Sequence, residues 1–191
     1  MKKTIAQVMT IIVLTIAGTA GAIIVGLLVY GSSVFNPTSP GFSFVSFGFS
    51  GALIFAFYHV RGVSEAITAS VIISAVQFVA GSSYITMLRA ILFSFGLNIP
   101  VVALAFIFER KLAAQKRIKV AVVALTYGAM FVVLTLLVDA LSAGSTGLPA
   151  TLFRENFLDG LLLGLGLGLG VEGGEAIIHS FEHPAATVKH S

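Results

Sequence analysis

The 191-residue chain contains no cysteine and no tryptophan, and only 10% of its residues are charged. The absence of cysteine excludes disulfides, thiolate metal ligands and cysteine nucleophiles. A soluble domain is typically about 25% charged, so the charged residues here are too few to cover a globule in water. The chain is instead 57% hydrophobic, and its mean hydropathy is +1.03. These figures predict an integral membrane protein.

Six long apolar stretches follow one another along the chain, each about as long as a helix that crosses a membrane. Their continuous apolar character, without strict alternation, favours helices over the strands of a barrel. The sequence therefore predicts an all-α integral membrane protein, a compact bundle of six transmembrane helices that forms one domain over residues 1–191. The predicted helices cover about 5–30, 42–60, 63–81, 84–108, 120–141 and 156–178, and a short tail follows at 179–191.

The charge run from Glu109 to Lys119, ERKLAAQKRIK, is the main marker of topology. Lysine and arginine are enriched in cytoplasmic loops. With this run in the cytoplasm, nine of the eleven Lys and Arg residues fall on that side, and Arg89 and Arg154 fall on the other. We therefore predict a multi-pass protein of the cell (inner or plasma) membrane with both termini cytoplasmic. The basic residues are accounted for by topology, and no nucleic-acid partner is expected.

Small residues recur at helical spacing in the first and sixth predicted helices. Helices in lipid associate through close contact between such residues. This pattern predicts a packing face, and two interpretations are open: contacts within the bundle, or docking of a membrane-protein partner or a second copy of the chain. The stripes consist of Gly18, Ala22 and Gly26, and of Gly160, Gly164 and Gly168.

The candidate solute-binding residues are four of the polar residues in or at the ends of the predicted helices, away from the charge run: Arg89, Asn98, Asp139 and Asp159. Ionisable residues inside a membrane often mark ion or substrate pathways. One interpretation is structural, with Arg89 paired to Asp139 or Asp159 and Asn98 beside a kink at Pro100. The other is an outward-facing pocket in which these four residues bind a solute and Arg89 anchors an anion.

The sixth predicted helix ends in a polar face that includes Glu172, Glu175 and His179. Carboxylates and imidazoles are ligands for zinc, manganese and iron, so these residues are candidates for a divalent metal site at the cytoplasmic end of the helix. An amphipathic helix that leaves the membrane explains the same pattern. The sequence favours this second interpretation, and it identifies no other cofactor.

Three classes of function remain. The favoured expectation is a small membrane transport component that binds a solute or ion within the helix bundle and works with partner subunits. The alternative is a non-catalytic subunit of a larger respiratory, photosynthetic or secretory complex. An intramembrane enzyme is the least favoured class, because no nucleophile, base and orienting group converge in the sequence.

Overall fold

The structure is a computed structural model that describes residues 2–111, 115–142 and 150–182. Within these residues it is all-helical, without a strand, which confirms the predicted fold class at this level. A short 3₁₀ helix, Gly31–Phe35, follows the first long helix. The six long helices are α1 Lys2–Tyr30, α2 Phe42–Arg61, α3 Val63–Gly81, α4 Met87–Lys111, α5 Lys116–Leu141 and α6 Ala150–Glu182.

Each of the six helices is long and apolar enough to cross a membrane, which indicates a multi-pass membrane protein. Helix α3 has the predicted limits, whereas α6 extends beyond its predicted 156–178 at both ends. The extension arises because residues such as Arg154, Glu155 and His179 continue the backbone hydrogen bonding of the helix after the apolar stretch has ended. Hydropathy therefore locates the apolar part of this helix rather than its full length.

Successive helices run in opposite directions, so the bundle has two distinct ends. At the first end, called the basic end below, helices α2, α4 and α6 finish and α5 begins. At the second end, called the loop end, α1 finishes and α6 begins. A 2.6 Å contact between His59 and Glu109 joins helices at the basic end, and a 2.7 Å hydrogen bond from Tyr30 to Asp159 joins helices at the loop end.

A single residue, Gly62, separates α2 from α3. Its φ of +91° lies where side chains with a β-carbon are rarely found, and its N–H donates to the carbonyl of Tyr58 over 2.9 Å. Glycine is the residue that adopts this conformation without steric cost. The chain thereby reverses direction in one residue, and α2 and α3 form a tight helical hairpin.

Helix α6 lies between α1 and α5 in the bundle. On one face its main chain touches that of α1, since a β-carbon at Gly166 would lie 2.6 Å from the carbonyl oxygen of Gly21, and one at Gly170 would overlap the carbonyl oxygen of Ala17. Only glycine permits main chains to approach this closely. Contact between α1 and α6 therefore depends on the absence of side chains at these positions.

A second glycine face of α6 touches α5. A β-carbon at Gly160 would lie 2.5 Å from the carbonyl oxygen of Tyr127, and one at Gly164 would lie 2.7 Å from that of Val123. Gly168 lies on the same face, and a β-carbon there would lie 3.3 Å from Cα of Val120. The predicted stripe on α6 is therefore covered by α5 of the same chain.

The predicted stripe on α1 is covered in the same way by α2. A β-carbon at Gly18 would lie 2.6 Å from Ala52 Cβ, and one at Gly26 would lie 2.8 Å from the side chain of Phe44. Ala22 is fully buried, against Gly48 of α2. Both small-residue stripes thus lie at contacts between helices of one bundle.

Candidate functional site

A lysine is buried at the basic end of the bundle. Lys119, in the first turn of α5, is only 4% exposed. Its Nζ lies 3.0 Å from Oε1 of Glu172 and 3.6 Å from Oε2 of Glu175, both on α6. The same ammonium lies 4.3 Å from the centre of the Phe108 ring on α4, an attractive cation–π arrangement. Three helices therefore enclose one positive charge.

The local sequence explains why these groups meet. Glu172 and Glu175 are three residues apart and so lie beside each other on one side of α6. Gly168, one turn earlier on α6, lets the main chain of α5 approach at Val120. Lys119 precedes Val120, so the close approach brings its side chain within reach of both carboxylates. The glycine face of α6 thereby positions the ion pair.

The Glu172 carboxylate is buried without hydrogen-bond donors among the described residues. Its side chain is 10% exposed, and neither of its oxygens receives a hydrogen bond from the described part of the chain. The Lys119 contact at Oε1 is short enough for an ion pair but lacks the alignment of a hydrogen bond. A buried ionised carboxylate without donors is costly. Attraction to Lys119 is the main stabilising interaction that the described residues offer it.

A second pair extends the site toward the surface. Nδ1 of His59 at the end of α2 lies 2.6 Å from Oε1 of Glu109 on α4, and both side chains are about one third exposed. Both residues are close enough to act electrostatically on Glu175. We call these five residues, His59, Glu109, Lys119, Glu172 and Glu175, the charge cluster. Its net charge is −1 when His59 is protonated and −2 when His59 is neutral.

An open cleft of about 390 Å³ lies beside the charge cluster, between α5 and α6. It is lined by Arg117, Val120, Leu169, Glu172 and Gly173. A β-carbon at Gly173 would meet no atom within 4 Å, so this glycine leaves space beside Glu172. Glu172 thus belongs both to the charge cluster and to the wall of a surface cleft.

Two of the three residues predicted as metal ligands, Glu172 and Glu175, contact the ammonium of Lys119. The third, His179, is exposed one turn further along α6. In the described ranges no three or more His, Cys, Asp and Glu residues are grouped so as to hold a metal ion. A divalent ion bound by these carboxylates would have to displace Lys119 or tolerate its repulsion.

Three of the predicted solute-binding residues lie toward the loop end, with separate surroundings. Arg89 is exposed, and its guanidinium lies 5.4 Å from the centre of the Phe93 ring. Asp159 accepts the hydrogen bond from Tyr30, and Asp139 is half-buried near the end of α5. No ion pair joins Arg89 to either aspartate within the described residues. A solute-binding role for these three residues stays a prediction, and the loop predicted to cover them, 142–151, lies largely outside the described residues.

Asn98, the fourth predicted residue, belongs to a hydrogen-bonded network that joins α2, α3 and α4. Its Nδ2 donates to Oε1 of Gln77 over 2.6 Å and to Oγ of Ser74 over 3.3 Å. Gln77 in turn donates to the carbonyl of Ser46 over 2.9 Å, and Ser74 donates to the carbonyl of Ser94 over 3.0 Å. These five residues, called the amide network below, hold three helices together.

Lys119 is not among the site residues predicted from the sequence, because it belongs to the charge run that marks topology. The sequence nevertheless contains a pattern that could have identified it. Lys119 borders the fifth apolar stretch, and Glu172 and Glu175 interrupt the sixth near the same predicted membrane face. Opposite charges at equal depth in adjacent antiparallel helices are natural partners, because burial of either alone is costly.

No protein-family model, curated protein or solved structure matches the chain. The chemistry of the charge cluster is therefore the basis on which a function is proposed.

Proposed function

We propose that this protein is a small transport component of the cell membrane that binds a solute or ion at the charge cluster. The observation that supports this proposal is the burial of Lys119 with Glu172 and Glu175 between apolar helices. Ionisable groups in such positions are costly, and they commonly mark pathways of ions, protons or substrates. Well-packed apolar residues would hold α5 against α6 at least as well. The cost of these charges is therefore best explained by function.

The distribution of Lys and Arg supports a cytoplasmic basic end, with both termini on that side. The charge cluster would then lie near the inner face of the membrane. An ion or solute would reach it from the cytoplasm through the cleft between α5 and α6. Transport to the other side requires a second state in which the cluster opens toward the loop end.

The alternative function, a non-catalytic subunit of a larger complex, receives less support. The two stripes that predicted a docking face are covered by helices of the same chain. A partner subunit would have to use other surfaces, such as the exposed apolar side of α3. We retain a partner subunit as part of the proposal, since small transport components commonly act within assemblies.

Flux into liposomes tests the proposal. The purified protein is reconstituted with an entrapped dye that reports protons, Na⁺ or K⁺, and each ion gradient is applied in turn. We expect flux through the wild-type protein and a decrease of about tenfold or more, equivalent to about 1.4 kcal/mol, in Glu172→Gln. The matched control is Glu155→Gln, which removes the same charge from an exposed residue near the loop end.

Two results would count against the proposal. The first is flux no greater than in protein-free liposomes for every ion tested and for a panel of small organic solutes. The second is equal flux in the wild type and in well-folded Glu172→Gln. Recovery of the protein from mild detergent chiefly as part of one large complex would instead support the alternative function.

A further inference from the structure

We infer that the charge cluster binds a small monovalent cation, of the size of Na⁺ or K⁺, against the carboxylate of Glu172. This inference takes its site from the proposed function and specifies the class of ligand. It is carried by the charge balance of the cluster, by polar atoms that lack partners, and by the cleft that reaches Glu172.

The charge balance calls for one further positive charge. With His59 protonated and the three carboxylates ionised, Lys119 offsets one of the two carboxylates on α6 and His59 offsets Glu109, which leaves an excess of one negative charge in the cluster. Lys119 and Glu172 are both at least nine-tenths buried, so water screens this excess poorly. A bound ion of charge +1 would neutralise the cluster.

Unpartnered oxygens supply the ligands. Both oxygens of Glu172, and the buried Oγ1 of Thr15 on α1, lack hydrogen-bond partners within the described residues. Thr15 lies at the same level as Glu172 and Glu175, because its neighbours Leu14 and Ala17 contact Gly174 of α6. Carboxylate and hydroxyl oxygens are hard ligands, which suit alkali cations. The basic end therefore combines negative charge with buried oxygen atoms that accept no hydrogen bond from the described residues.

Other small ligands fit the cluster less well. A water molecule would donate hydrogen bonds to Glu172 but would leave the excess charge in place. With His59 protonated, a divalent ion would reverse the charge of the cluster to +1. A monovalent cation would balance the charge of the cluster in that state.

Access to Glu172 runs through the cleft between α5 and α6. Gly173 leaves the space beside the carboxylate open, and Val120 and Leu169 form apolar walls. Arg117 is exposed in the lining of the same cleft, where its positive charge opposes entry of a cation. Two positive residues therefore compete with the ion: Lys119 inside the cluster and Arg117 at the cleft.

Thermal unfolding of the purified protein in detergent tests the inference. Na⁺, K⁺ or Li⁺ replaces choline at constant ionic strength, so that only the small cation varies. A ligand that binds the folded state raises the unfolding midpoint, by roughly 5–10 °C at a hundredfold excess over its Kd for a protein of this size. We expect this rise in the wild type with at least one of the three cations, and we expect it to disappear in Glu172→Gln.

Removal of the competing positive charges should have the opposite effect. We expect Arg117→Gln to lower the Kd for the cation severalfold and Lys119→Gln to lower it by about tenfold or more. Arg110→Gln is the matched control, because it removes the same charge from an exposed residue of α4 at the same end of the bundle. Arg117 is exposed, so its variant tests the inference even where Lys119→Gln fails to fold.

Three results would overturn the inference: no response of the wild type to any of the three cations, an equal response in Glu172→Gln, or a response to pH alone. Solute or proton flux in liposomes without any cation response would overturn the monovalent site and leave the proposed function standing. Absence of flux together with a cation response at Glu172 would overturn transport and leave the site standing.

Discussion

Where α6 meets α1 and α5, main chains touch through glycines, whereas where α3 meets α2 and α4, side chains hydrogen-bond across the gap. The first kind of contact is shown by Gly166 against Gly21 and the second by Asn98 against Gln77. Lipid is as apolar as a leucine side chain, so burial of apolar surface gives little association between helices in a membrane. The two regions use the two remaining sources of attraction, close packing and hydrogen bonding.

The two regions restrict, in different ways, which residues can occupy their contact positions. The glycine contacts exclude every side chain, because the space that a β-carbon would take is filled by main-chain atoms. The amide network instead requires particular donors and acceptors, and Gln77 is oriented by its donation to the carbonyl of Ser46. The charge cluster draws on both regions, since Lys119 and Glu172 belong to the glycine-packed helices and His59 and Glu109 to the hydrogen-bonded ones.

The largest effect should come from adding one methyl group to the α1–α6 contact. In Gly170→Ala the new β-carbon overlaps the main chain of α1, and we expect the free energy of unfolding to fall by about 3 kcal/mol, the upper end for overpacking. Gly173→Ala, three residues away, is the control. Its β-carbon meets no atom within 4 Å, so the better helix propensity of alanine should stabilise the helix by about 0.5–1 kcal/mol.

Thermal unfolding in detergent measures both variants. Equal midpoints for Gly170→Ala and Gly173→Ala would show that α1 and α6 do not touch through their main chains, and the comparison between the two regions would fail.

A smaller effect is expected from breaking the amide network. Asn98→Leu removes the donor that serves Gln77 and Ser74, and we expect a loss of about 1–2 kcal/mol, the range found for polar contacts between model membrane helices. Ser50→Ala is the control, because the buried Ser50 hydroxyl donates to the carbonyl of Phe47 in its own helix and to no other described residue. The unfolding midpoint should fall in Asn98→Leu and stay near the wild-type value in Ser50→Ala.

Ser50→Ala and Asn98→Leu could instead lower the unfolding midpoint by the same amount. The amide network would then add no more to the free energy of unfolding than one buried hydroxyl within a helix. The hydrogen-bonded region would then have to be held by packing alone.

The smallest effect should come from the hydrogen bond between Tyr30 and Asp159, which joins α1 to α6 at the loop end. Tyr30→Phe removes the donor to Asp159, and we expect a loss of about 0.5–1.5 kcal/mol. Tyr84→Phe changes an exposed tyrosine in the same way and serves as the control. A loss in Tyr30→Phe larger than that in Asn98→Leu would mean that the glycine region depends on hydrogen bonding after all.

Much of the architecture was predictable from hydropathy. The six helices follow from six apolar stretches, and the limits of α3 coincide with the prediction because Gly62 precedes the helix and Gly81 ends it. Hydropathy predicts that α4 begins at residue 84, whereas the helix starts at Met87. Tyr84 and Ile85 are apolar enough to extend the stretch, but their N–H groups bond back to Gly81 in a turn.

The sites were less predictable, because partners on other helices decide what a charged residue does. Asp159 is one of two partners that the sequence suggests for Arg89, and the structure shows it accepting a hydrogen bond from Tyr30, 129 residues earlier in the chain. Glu172 and Glu175 looked like the polar face of a helix that leaves the membrane, and the structure gives them Lys119 as a partner. Periodicity shows which residues share a face, but it does not show which face of which neighbour lies opposite.

The one-residue link at Gly62 limits how α2 and α3 can move relative to each other. Helices α2 and α3 have 20 and 19 residues, and Gly62 alone lies between them. A single residue spans only about 3.5 Å, so the end of α2 and the start of α3 stay side by side at the basic end. Any rearrangement of the bundle must therefore carry this end of the hairpin as one unit.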